Sequence, residues 1–249
     1  MRAIDFFCGG GGMTHGLIRA GINVIAGIDL DKDAKETYEF NNTGAKFVNA
    51  DITTLPINFF EDEFNVQKND DEMIFVGCSP CQFYSIIRSS KEKSRKTKDL
   101  LLYFEKFIEY YRPGYILVEN VPGILSNKET ILNDFLQKIE RLGYGNKENG
   151  RCVYDIVNMK NYGIPQNRRR FSLIATRLDR QVFLPEKDQN IITVRNAIGN
   201  YTLFPEIPAG YRDTNSKRYH STRSLSEINT KRIKTVPQNG GTRIAFKDN

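Results

Sequence analysis

Arg2-Ala3-Ile4-Asp5-Phe6-Phe7-Cys8-Gly9-Gly10-Gly11-Gly12 opens the chain with an apolar, β-rich run that breaks into four glycines. A helical pattern follows from about Thr14 to Ala20, so the glycines form the turn between a first strand, Arg2–Phe7, and a first helix. Glycine lets backbone amides approach a ligand closely at a helix N-terminus. Outward from this stretch the same alternation repeats. Strands are expected at Asn23–Ile28, Lys46–Asn49, Met73–Val76 and Tyr115–Glu119, with helices from about Asp31 to Phe40, at Leu100–Tyr111 and at Ile131–Leu142. Val153–Asn158 and Phe171–Thr176 read as two later strands, an antiparallel pair at the sheet edge. Strands alternating with amphipathic helices at this spacing predict an α/β fold built on a doubly wound, mostly parallel sheet.

The 249 residues suffice for a full hydrophobic core, and 39% hydrophobic, 27% charged and a mean hydropathy of −0.49 are ordinary for a globular protein. No apolar run is long enough to span a bilayer. The opening MRAIDFF enters a strand rather than a charged-then-apolar leader, so a cytoplasmic protein is expected. A secreted disulfide framework suits neither this length nor this core. Cys78 and Cys81 have CxxC spacing, but a structural zinc site needs a second ligand pair, and Cys8, Cys152, His15 and His220 stand apart. No metal is expected. The net charge of +6 is concentrated at one end: Ala209–Asn249 carries nine Lys/Arg against three Asp/Glu, while the residues before it carry 27 of each sign. A neutral body with a basic tail points to a polyanion partner, with a solvated surface segment as the plain alternative. Ser85–Lys98 holds six Lys/Arg without apolar periodicity and reads as a mobile basic loop. Beyond about Pro185 the pattern turns irregular, so one complete domain is expected over 1–190, followed by an irregular basic segment over 191–249.

Four places carry candidate chemistry. The glycine loop is the first, and Asp29, at the end of the second strand, has the offset of an acid that takes ribose hydroxyls. Asp51, after the third strand, is placed to accept from an adenine amino group. Together they predict an adenosine-containing cofactor, and the spacing does not choose between NAD and S-adenosylmethionine. The second place is Gly77-Cys78-Ser79-Pro80-Cys81-Gln82, directly after the fourth strand. Ligands bind beyond the carboxyl ends of strands in open α/β sheets, and a thiol there, near basic residues, acts as a thiolate nucleophile. The third is Val118-Glu119-Asn120-Val121-Pro122, where Glu119 ends an apolar run; a partly desolvated carboxyl group rises in pKa and donates to a heterocycle. The fourth is Gln166-Asn167-Arg168-Arg169-Arg170, whose arginines suit a phosphate or a base. The bland readings are a tight turn, a small buried cysteine, a strand-capping glutamate and a solvated basic patch.

In this order the four places resemble the C5-cytosine methyltransferase family. Phe7, Gly9, Gly11 and Gly12 match its FxGxGG cofactor loop; Pro80-Cys81-Gln82 its PCQ motif; Glu119-Asn120-Val121 its ENV motif; and Gln166, Arg168 and Arg170 its QxRxR motif. The resemblance runs from residue 2 to about residue 200. It implies an S-adenosylmethionine-dependent, Rossmann-like methyltransferase fold acting on cytosine in duplex DNA. The base would be flipped into the pocket, because C5 and C6 are out of reach inside the stack. It implies Cys81 as the nucleophile at C6, Glu119 at N3, Arg168 at the O2 edge and Arg170 in support, with Gln82 and Asn120 completing the motifs. It also implies cofactor contacts at Phe7, Asp29, Asp51, Ile52 and Leu100. Leu30 stands where the family often has an aromatic residue, Thr97 where it usually has arginine, and Phe83-Tyr84-Ser85 continues the PCQ motif in an uncommon way. The resemblance also implies that Ser85–Lys98 is a mobile catalytic loop.

Thr193–Tyr201 resembles the segment leading out of such a catalytic domain, and Arg232–Arg243 the approach to a target-recognition domain. The family's recognition domain and closing motifs are not found, so two expectations follow. One is a split enzyme whose second chain supplies those parts, favoured over a truncated product. The other is an uncovered apolar face on the sheet. The rival readings are an RNA cytosine-5 methyltransferase, a catalytically silent cofactor-binding subunit and a thiol-redox protein built on the CxxC.

Overall fold

The computed structural model describes residues 1–80, 99–126, 131–188, 190–214 and 220–236. At the centre lies β1 (Arg2–Phe6), whose Ala3, Ile4, Asp5 and Phe6 are all buried. A strand covered on both faces needs a near-continuous apolar run, and only Asp5 interrupts this one. Parallel neighbours β2 (Asn23–Asp29) and β4 (Met73–Gly77) flank it, with β3 (Lys46–Asn49) beyond β2 and β5 (Tyr115–Asn120) beyond β4. β6 (Cys152–Asn158) and β7 (Arg169–Thr176) complete a seven-stranded sheet of order β3-β2-β1-β4-β5-β7-β6, with β7 antiparallel to both neighbours. The fold is therefore the α/β, mostly parallel sheet with an antiparallel edge pair that the alternation predicts.

The chain runs outward from β1 to β3, returns to β4 beside β1, and then builds the other half. The carboxyl ends of β1 and β4 meet where the strand order reverses, and the connections leaving them diverge to opposite faces and open a crevice. On one face, α1 (Gly12–Arg19) and α2 (Lys35–Asn41) pack Leu17 and Tyr38 with Ala3, Val24, Phe47 and Val76. The other face receives α3 (Phe59–Phe64), α4 (Leu100–Tyr111), the one-turn α5 (Gly123–Ser126) and α6 (Leu132–Ile139). α4 buries Leu101, Phe104, Phe107, Ile108 and Tyr111, a stripe at helical spacing. It ends at Arg112, in the left-handed region at φ 50, followed by Pro113. The rings of Phe60, Phe75, Phe104 and Phe107 surround Phe6 at centroid distances of 5.0–5.4 Å. Each such ring removed from water contributes about 1.5–3 kcal/mol.

Several elements depart from the expected ones. β1 stops at Phe6, because Phe7 turns to φ 65 to enter the glycine loop. The helix expected over Ile131–Leu142 is α-helical only to Ile139, and a π turn at Glu140–Tyr144 then carries Gly143 at φ 89. α3 was not expected; its FFEDEF stretch is too short to show a period. The segment past Pro185, expected to be irregular, holds α7 (Val194–Ile198) and α8 (Glu227–Lys234). Local capping makes these two: Thr193 and Asn196 form a reciprocal capping box, and Ser226 accepts from the Asn229 N–H. Neither buries a residue, so neither shows an apolar stripe in the sequence.

The chain divides into two compact units, Met1–Ile191 and Ile192–Asn249. Within the first, the face of β5, β7 and β6 turned away from α4 and α6 presents Leu117, Ile174 and Val157. With Met13, Met159 and Leu184 these line a shallow apolar groove of about 310 Å³. Among the described residues no helix is long and apolar enough to cross a membrane.

Candidate active site

Strand ends supply the site. A crevice of about 530 Å³ opens at the carboxyl ends of β1, β2 and β3 and is walled by the start of α4. Phe7, Asp29, Leu30, Asp51, Ile52 and Leu100, all expected as cofactor contacts, line it. So do Pro80, from the PCQ motif, and Thr53, Asp99 and Tyr103, which the sequence reading did not single out. Tyr103 follows Leu100 by one helical step, and that spacing was the available signal. Gly9, Gly11 and Gly12 build the turn beside the crevice without lining it.

Both strand-end carboxylates are oriented by backbone donors. Asp29 accepts from the Gly9 N–H through Oδ2 at 2.8 Å and from the Asp31 N–H through Oδ1 at 2.9 Å. Asp51 Oδ1 accepts from the Thr53 N–H at 2.9 Å. The glycine loop is thus tied to the acid that ends β2. Gly11 sits at φ 87, where its missing Cβ leaves room for the Asn42 and Tyr38 side chains.

Next to the crevice, the end of β5 meets the turn after β4. Buried Asn120 donates from Nδ2 to Ser79 Oγ at 3.2 Å, while its Oδ1 accepts from the Val121 N–H at 2.8 Å. The segment carrying Glu119 is therefore fastened to Ser79-Pro80. Cys81, Gln82 and the basic loop Ser85–Lys98 that follow, including Thr97 and Phe83-Tyr84-Ser85, lie outside the described residues. The antiparallel register sets Ser172 opposite Glu119, which places Arg170 on the same face one diagonal step away. Arg170 Nε meets Glu119 Oε1 at 2.8 Å, both side chains being partly buried. Burial pushes the Glu119 carboxyl above the usual carboxylate range, and the Arg170 and Arg168 guanidiniums pull it back only in part.

Arg168 lies beyond the strand and is exposed, as is Gln166. Arg170, expected in a supporting role, is thus the partner of Glu119, and this contact does not bear on the expectation that Arg168 meets the O2 edge of a base. Burial also pushes the Cys78 thiol well up, against a thiolate role for that cysteine. Among the described residues no group of three or more His, Cys, Asp or Glu side chains is arranged to hold a metal ion.

A model of the C-5 cytosine-specific DNA methylase family matches residues 1–248. The chain belongs to that family. Type II methylase M.HgiDII of Herpetosiphon aurantiacus is 36% identical over 245 residues, covering 96% of this chain and 64% of the relative. Type II methyltransferase M.DdeI of Desulfomicrobium norvegicum is 34% identical over 208 residues, covering 83% and 47%. Among solved structures, one described as a prophage-encoded DNA modification methyltransferase (E. coli) superposes with a TM-score of 0.67 at 26% identity, covering 97% of this chain and 66% of that one. This methylase-family chain thus spans between about half and two thirds of the length of these three proteins. Within the methylase fold the residue least visible in advance is Ser79, which matters through its bond to Asn120 and not through a motif of its own.

Proposed function

We propose that the chain is the catalytic part of a DNA cytosine-5 methyltransferase that uses S-adenosylmethionine and acts on a cytosine flipped out of duplex DNA. The observation that carries this reading is the junction of two sites. Glu119 with Arg170, and the Ser79-Pro80 turn that leads to Cys81, are joined through Asn120 at the edge of a crevice floored by Asp29 and Asp51. The crevice suits an adenosine-containing ligand: apolar walls at Ile28, Ile52, Leu100 and Tyr103 for the adenine, and fixed carboxylates for ribose hydroxyls and the amino group. Bound there, S-adenosylmethionine supplies an electrophilic methyl carbon.

The chain's own residues do the remaining work. The Cys81 thiolate adds to C6 of the base, and the electron pair of the C5–C6 bond becomes available at C5. Glu119, whose pKa burial raises, donates to N3 and so offsets the negative charge that the addition places on the ring. Arg170 orients Glu119, and Arg168 is left free to reach the O2 edge. C5 takes the methyl group as the donor S–CH3 bond breaks and its electron pair stays on the departing thioether. The C5 proton then passes to a water molecule, and the C5–H pair re-forms the C5–C6 bond. The C6–S bond breaks to return Cys81 as the thiolate, N3 giving its proton back to Glu119. A cytoplasmic location, alongside the DNA, goes with this reading.

We further infer that a second polypeptide completes the enzyme, as in a split methyltransferase. The small apolar groove over Leu117, Ile174 and Val157 offers such a chain a seat on the sheet. The experiment is a trap. Duplex DNA containing 5-fluorocytosine is incubated with S-adenosylmethionine and the purified chain, with and without extract of the native host. Fluorine prevents the final loss from C5, so the adduct persists on a denaturing gel. A shifted band that vanishes in Cys81→Ser is expected, in far higher yield with extract. Equal yield without extract removes the second polypeptide, and a band unaffected by Cys81→Ser removes the mechanism.

A further inference from the structure

Beneath the glycine loop runs a buried polar chain that the proposed chemistry does not use. Asp5 has no solvent exposure; its Oδ2 accepts from Thr14 Oγ1 at 2.7 Å, and Thr14 Oγ1 lies 3.1 Å from Tyr38 Oη. Thr14 and Tyr38 are themselves fully buried. Thr14 stands in the first turn of α1, whose N-cap, Gly11, has no side chain to offer. The Asp5 carboxyl thus ties β1 to the first turn of α1 through the Thr14 hydroxyl. Tyr38 closes the chain from α2. Its side chain lies so near Gly11 and Gly27 that a Cβ there would approach it to 2.8 Å and 2.4 Å, respectively.

We propose that Asp5 is a positioning residue for the cofactor loop: through Thr14 and Tyr38 it holds Gly9–Gly12 in the ligand-receiving conformation, and it does so in its protonated form. This rests on the cofactor reading above. Asp5 Oδ1 is buried and has no hydrogen-bond partner among the described residues. An ionised carboxylate is strongly penalised in that position, whereas a neutral carboxylic acid is tolerated. Burial accordingly pushes the Asp5 carboxyl up to about 7, and bonding to Thr14 offsets only part of that rise. The titratable groups facing Asp5 are Cys8 from the loop, Cys78 after β4, Asp29 at the end of β2 and Tyr38 from α2. All are acids, so none of them compensates a negative charge on Asp5. A raised folded-state pKa means that this contribution is complete below the unfolded value, near 4, and is lost as pH rises through about 7. Above that pH the loop must loosen to admit water.

Hydrogen–deuterium exchange of backbone amides 6–14 in the full chain without ligand, corrected for the intrinsic pH dependence of exchange, tests this directly. Asp5→Asn keeps the shape and stays neutral at every pH. The expected result is that protection falls about tenfold between pH 6 and 8 in the wild type and stays flat in Asp5→Asn. Calorimetric Kd values for S-adenosylhomocysteine should follow the same two curves. Parallel curves for the two proteins, or a flat wild-type curve, would overturn the proposal. Should Asp5→Asn not fold, carboxyl-carbon NMR of the wild type decides instead: an Asp5 that ionises near pH 4 overturns the proposal, and one that ionises near 7 supports it. If the exchange curves diverge while neither protein binds S-adenosylhomocysteine at any pH, the positioning role stands and the cofactor reading falls.

Discussion

Arg170 and Glu119 lie 51 residues apart in sequence, yet the period of two along β7 settles their meeting. Glu119, Ser172 and Arg170 share one face, and the 2.8 Å contact follows from the register. The pair also fixes how the site should respond to pH. In the proposed mechanism, donation to a base nitrogen requires a protonated Glu119, so turnover is expected to fall as pH rises through its elevated pKa. Arg170 holds that pKa down. Replacing Arg170 with Ala should therefore move the alkaline limb of kcat to higher pH while lowering kcat itself by about tenfold or more, and Arg170→Lys should move the limb less. A pH–rate profile of the three proteins checks this; a limb that stays in place would mean that another group sets it. The motif spacing made both residues visible, but their pairing became visible only with the register.

At the scale of elements, the glycine loop is the most demanding piece of backbone in the fold. Gly9 and Gly11 both adopt positive φ, but their surroundings differ. A Cβ at Gly9 would meet nothing within 4 Å, whereas at Gly11 it would fall 2.2 Å from Asn42 Nδ2 and 2.8 Å from the Tyr38 ring. Gly9→Ala should cost about 1–2 kcal/mol, the left-handed strain alone. Gly11→Ala should cost more than about 2 kcal/mol, because a buried ring must also move. Urea unfolding of the two variants measures the difference. The same contrast explains what could be read beforehand. The central strands β1 and β4 were legible because their residues are buried on both faces and therefore mostly apolar. α8 was not, since it buries nothing and rests on Ser226 and its own hydrogen bonds. α6 could be read, but its conversion to a π turn at Glu140 could not, because the apolar pattern continues through it.

The molecule as a whole brings Asp29, Asp51, Ser79, Leu100, Glu119 and Arg170 to one end of the sheet by alternating strand and helix from residue 2 onward. Strand ends can be counted along a sequence, which is why the acids and the ENV motif could be placed. Packing across the crevice cannot be counted that way, and it is what adds Tyr103 and the bond from Asn120 to Ser79. Tyr103 has a further use. The chain contains no tryptophan, and Tyr103 stands on the crevice wall with the Lys106 ammonium 4.5 Å above its ring. Tyr103→Trp would make that wall the molecule's single indole fluorophore. An adenine displacing water against it should shift the emission toward shorter wavelengths, and a ligand bound elsewhere should leave the spectrum in place. A chain that emits only from tyrosine thus offers an optical gauge of its own crevice.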